Sequence, residues 1–174
     1  MALRALPALA AAGAIILTLT GCAGGTGSDA VVINGRRVSV AEVEKTATAV
    51  ASTVRGDNTA TLRDEQLVVA ALVSQALADS AAQKAGKPIT TADRDAALAS
   101  IPGGTQLEGD ADARPYAEAV GDVVHAQQAF GAEAMAAQQA STSIAVNPRF
   151  GTWDTKQMSL VTGTGSLSVP VTTN

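Results

Sequence analysis

Through the middle of the chain apolar positions recur three and four residues apart, and the polar positions between them start and stop helices. Ser39 and Glu42 have capping-box spacing, in which hydroxyl and carboxylate satisfy orphan amides of a first turn. They open a helix predicted to run to about Thr53, with Val40, Val43, Ala47 and Val50 along one face; Gly56-Asp57-Asn58 breaks it. A longer helix is predicted from Leu62 to roughly Ala85, where Leu62, Val69, Val73, Ala76 and Leu77 return near helical spacing. Thr61 and Asp64 cap its start, and Gly86 followed by Pro88 stops it. Thr90-Thr91-Ala92-Asp93 caps a short helix to about Ser100, and the segment from Pro102 through Asp112 reads as a loop. A last long helix starts near Pro115, a residue favoured in a first turn, and continues to about Ala140. Tyr116, Val120, Val123, Val124, Phe130 and Ala134 form its apolar face. Gly121 and Gly131 either weaken it, by about 1 kcal/mol each against alanine, or allow close helix contact.

Both flanks of this helical stretch switch to an extended pattern. Ala30-Val31-Val32-Ile33 are strand formers, Asn34-Gly35 is the strongest short hairpin signal, and Arg36-Arg37-Val38 follow. Ser143 to Val146 is extended until Pro148 and has no strand partner nearby in sequence, so its predicted partner is Ala30 to Ile33. The expected fold is mostly α, with a small β pairing of the N- and C-terminal segments closing it. Pro148, lacking an amide hydrogen, marks where the ladder stops, and Phe150 and Trp153 fold back over the helices. Residues 154–174 read as a mobile tail in which Met158 to Val161 and Ser166 to Val169 form a weak hairpin.

The N-terminus carries a different signal. Ala5 to Leu19 is apolar but shorter than the roughly 20 residues of a spanning helix, so residues 1–21 read as a secretory signal peptide. Its close, Leu19-Thr20-Gly21-Cys22, resembles the lipobox of bacterial lipoproteins. That resemblance implies cleavage between Gly21 and Cys22, a diacylglyceryl group on the Cys22 thiol, and a chain anchored on the extracytoplasmic face of the bacterial cell membrane. Two acyl chains hold a protein there essentially permanently, whereas one binds marginally. Residues 22–29 supply the lipidated cysteine and a Gly/Ser/Thr-rich tether.

Composition narrows the chemistry further. Cys22 is the only cysteine, which excludes a disulfide framework and a thiolate metal site. A net charge of −4 offers no electrostatic footprint for nucleic acid, and Arg36-Arg37 is too short a basic run to reverse that. Only Tyr116, Phe130, Phe150 and Trp153 are aromatic, so the core must come from close-packed Ala, Val and Leu. His125 is the single histidine and completes no metal site. Asp93, Asp95, Asp110 and Asp112 lack calcium-loop spacing, and Gly103-Gly104 and Gly163-Thr164-Gly165 lack the lysine of a phosphate loop. No nucleophile elbow occurs. The residues therefore point to no catalysis, no cofactor and no small-molecule substrate. Arg149, Phe150 and Trp153 are the candidates for contact chemistry, either anchoring a bound peptide or fastening the closing strand to the helices.

Taken in order, Val31-Val32-Ile33-Asn34-Gly35, the capped helix with Glu42 and Val43, the Ala-rich helix, Ile89-Thr90-Thr91 and Asn147-Pro148-Arg149-Phe150-Gly151-Thr152-Trp153 resemble the SurA-type chaperone domain. SurA, PrsA and trigger factor share this helical cradle, and a lipid anchor is more like that of PrsA. The resemblance covers residues 30–153, with Leu167 to Pro170 similar to the family's chain ending. It implies a SurA N-terminal-like domain binding unfolded or newly secreted polypeptides. Relatives with prolyl isomerase activity insert a parvulin domain before the closing segment. This chain has only Ser100 to Asp112 in that region, so the resemblance implies the binding part without the isomerase. The same fold in a dedicated docking lipoprotein, serving one envelope protein or complex, is the alternative.

Overall fold

A computed structural model of the protein describes residues 28–161. Cys22 with its lipobox, most of the tether, and the Ser166 to Val169 half of the expected tail hairpin lie outside them.

The chain enters as β1 (Asp29–Ile33), turns at Asn34-Gly35 and returns as β2 (Arg36–Ser39). Asn34 and Gly35 have φ of 50° and 83°, the left-handed conformation a two-residue hairpin demands at both central positions. Ser39 then caps α1 (Val40–Arg55), with its hydroxyl accepting from Glu42 N–H while the Glu42 carboxylate accepts from Ser39 N–H. Thr61–Asp64 and Thr90–Asp93 repeat this reciprocal box at α2 (Leu62–Lys84) and α3 (Thr91–Ala99). At the other end of α2 the Lys87 amide donates to Ala82 and the Gly86 amide to Gln83, a Schellman stop with Gly86 at φ +67°.

Beyond α3 the structure departs from the sequence reading. The segment expected to be a loop contains α4 (Gly104–Gly109), and the long helix expected to reach Ala140 ends at Phe130 as α5 (Arg114–Phe130). Gly131 adopts φ +83° with open space around it, so it is a break and not a close-contact point. A short α6 (Ala132–Ala136) and a 3-10 turn follow, and β3 (Ile144–Val146) comes next. Gly121 does mark close packing: a Cβ there would lie 2.7 Å from Arg94 Cγ and 3.0 Å from Leu98 Cγ. The valines assigned to the α5 face are only half-buried, and its deepest positions are Ala117, Ala119, Gly121, Asp122 and Ala126. Small side chains let α5 lie close against α2 and α3. Leu62, expected in the core, is 48% exposed.

β3 pairs antiparallel with β1 in the expected register, Val31 opposite Val146 and Ile33 opposite Ile144, giving sheet order β2-β1-β3. The ladder extends through Asn34 N–H to Ser143 O and Asn147 N–H to Ala30 O, and stops at Pro148. Two boundaries move. Ser28 and Asp29, expected in the tether, belong to the fold: Ser28 O accepts from Val40 N–H, and Asp29 opens β1. On the C-terminal side, β4 (Thr152–Asp154) pairs with β5 (Ser159–Val161), so the ordered hairpin uses residues on both sides of the expected boundary at 153. Leu160 and Met158 pack on the core.

The main core joins β1 and the closing segment to the helices. Val31 and Ile33 of β1, Val43 and Ala47 of α1, Val68, Val69, Leu72 and Val73 of α2, and Phe150 form one buried cluster. A second lies between α2, α5 and α6 around Leu77, Ala126 and Met135, and a third joins α3, α4 and α5 around Leu98 and Leu107.

Candidate functional site

The closing segment is internally committed. Asn147 Nδ2 donates to Asp29 O, and its Oδ1 accepts the Arg149 amide, forming a turn that aims Arg149 back at the helices. The guanidinium bridges Glu44 of α1 at 2.8 Å and Glu65 of α2 at 2.9 Å, and lies 5.3 Å from the Phe150 ring centroid. Those carboxylates, Glu44 first, hold Arg149 further into its charged form. Phe150 is fully buried, its carbonyl accepting from Gln66 Nε2. Trp153 is half-buried between two core clusters and donates to Gln139 Oε1 at 3.3 Å. The structure thus places Arg149, Phe150 and Trp153 against the helices and the core beside the closing strand.

Other singled-out residues are also accounted for. His125 is half-buried, edge-on to Phe130 with ring centroids 6.3 Å apart. Asp93 caps α3, Asp110 accepts the Asp112 and Ala113 amides, and Asp112 pairs with Lys45 at 2.7 Å. Among the described residues no group of three or more His, Cys, Asp or Glu side chains gathers to hold a metal. No helix among them is long and apolar enough to cross a membrane.

Two features escaped the sequence reading. One is a buried polar cluster: Asp122, 1% exposed, accepts from Arg94 Nε at 2.7 Å and Nη2 at 3.0 Å and from Gln75 Nε2 at 2.8 Å. It ties α2, α3 and α5 together, and its carboxylate keeps Arg94 charged. The other is a cleft beneath the β1–β2 hairpin. Arg36 and Val38 of β2 form its roof and Leu72 of α2 its floor, and these three residues are shared by two adjoining chambers. The first, about 270 Å³, runs along α2 past Gln75, Ala76, Asp79 and Gln83. The second, about 340 Å³, continues between α1 and the start of α5, past Val43, Val68 and Pro115.

Leu72, Ala76, Asp79 and Gln83 recur at helical spacing, and that stripe was the available signal. Burial pushes the Asp79 carboxyl up, and neighbouring Asp122 adds to the effect; Arg94 and Arg36 oppose it. Among the described residues β2 has a strand on one side only, so the cleft runs beside an open strand edge. The first chamber therefore offers apolar contact and the Asp79 carboxylate, the second adds Glu42 and Asp112 beside Arg37 and Lys45, and the strand edge offers backbone pairing. No family model matches the chain, and no curated protein or solved structure is significantly similar to it.

Proposed function

We propose that this chain is a membrane-anchored extracytoplasmic chaperone-like lipoprotein that binds unfolded or newly secreted polypeptides without catalysis, on a SurA N-terminal-like frame. The observation that carries the reading is the two-chambered cleft, with apolar Leu72 shared by both chambers on its floor and, among the described residues, the unpaired edge of β2 beside it. An extended segment satisfies its backbone groups on a strand edge while alternate side chains enter adjoining pockets. Such binding is weak and reversible, which suits a holdase. Anchoring through Cys22 raises the effective concentration at the membrane where secreted chains emerge.

Photo-crosslinking in cells tests the reading. A crosslinker at Arg36, in the roof of both chambers, should capture many substoichiometric, unfolded clients, whereas one at exposed Gln128 of α5 should capture few. Equal capture from both positions would refute the cleft. A single stoichiometric partner would replace the holdase with the docking alternative. The anchor has its own check: Cys22→Ala should abolish fatty-acid incorporation and membrane fractionation, because the chain has no other thiol.

A further inference from the structure

We propose that the chamber along α2 is a subsite for a lysine side chain, with Asp79 receiving the ammonium. This deepens, and rests on, the reading of the cleft as a polypeptide site. The three buried carboxylates among the described residues, Asp64, Glu65 and Asp122, each hold an arginine. Asp79 lines an open cavity of about 270 Å³, half-buried, with no hydrogen bond or ion pair among the described residues. Desolvation disfavours its charged form, and an incoming cation would relieve that penalty.

The walls select the kind of cation. Ile33, Val38, Leu72 and Ala76 present aliphatic surface, which matches the methylene stem of lysine below a compact charged head. A divalent cation needs several oxygen ligands, and no second acidic side chain lines this chamber. Charges face Asp79 from three elements: Asp122 of α5, Arg94 of α3 and Arg36 of β2. Arg94 and Asp122 neutralise each other directly. Arg36 lines the same cavity without forming an ion pair with Asp79, so no described residue satisfies the carboxylate.

The test compares two labelled extended peptides, identical except that one carries lysine and the other norleucine at its centre, by fluorescence anisotropy with the full chain at neutral pH. The lysine peptide should bind about tenfold more tightly, as expected of one charge-assisted hydrogen-bonded contact. Asp79→Asn should erase that preference, so that the two peptides bind the variant equally. Equal affinities for the native chain would overturn the Asp79 assignment while the cleft reading stands. A lysine preference that survives Asp79→Asn would overturn it too. If neither peptide binds, the cleft reading fails, and the subsite with it. The comparison in the native chain needs no variant, so the proposal stays testable even if Asp79→Asn folds poorly.

Discussion

Phe150→Ala is the sharpest perturbation of the closure. Phe150 is fully buried and is the largest such side chain, standing where the closing segment meets β1, α1 and α2. Replacing a buried phenylalanine with alanine costs about 3–5 kcal/mol, through lost transfer free energy and the cavity left behind. Against the roughly 5–15 kcal/mol that holds a domain together, that is about a fifth of the total or more. For a domain of this size the melting midpoint should fall by about 11–18 °C. Arg149→Gln is the informative companion. Its guanidinium joins the same segment to Glu44 and Glu65: the exposed Glu44 pair contributes little, and the glutamine amide keeps a hydrogen-bond donor for the buried Glu65 carboxylate. Its midpoint should therefore fall far less. Thermal melts followed by far-UV circular dichroism, with urea titrations to confirm an unchanged m-value, separate the two variants. Equal falls would show that charge pairing rather than apolar burial closes the domain, and a fall of only a degree or two for Phe150→Ala would refute the closure argument itself.

Gly104→Ala should destabilise the α3–α4 junction by about 1–3 kcal/mol, because its Cβ would sit 2.3 Å from the Leu98 carbonyl oxygen, a backbone atom that cannot rotate away; a melt unchanged from the parent would contradict this. Truncation after Asp154 should lower the midpoint measurably, since it removes β5 with the Leu160 contact to the main core, and truncation after Ser141 should prevent folding by deleting β3 and Phe150. Asp64 is held well below the carboxylate range, chiefly by Arg55 and then by the Thr61 amide, so the stability it contributes is present at neutral pH. That stability is lost as pH falls below the ordinary value of 3.8 towards its depressed one, and the melting difference between parent and Asp64→Asn should shrink over that window.

Local chemistry was legible in the sequence because its causes are local. Three Ser/Thr–acid capping boxes, the Asn34-Gly35 turn and the Gly86 stop each involve residues within a few positions of one another, and each formed where the spacing placed it. The long-range pairing of β1 with β3 was also readable, since an extended apolar run without a near neighbour needs a distant one. Tertiary structure decided the rest. Periodicity counts apolar residues but cannot tell which face a neighbour covers, so Leu62 went to solvent while alanines and Gly121 took the deepest α5 positions. Asp122 could be buried only because Arg94 and Gln75, from two other helices, converge on it. The cleft exists only where the hairpin stands off α2, which is why Asp79 reads as one more polar residue until the fold places it against an apolar wall.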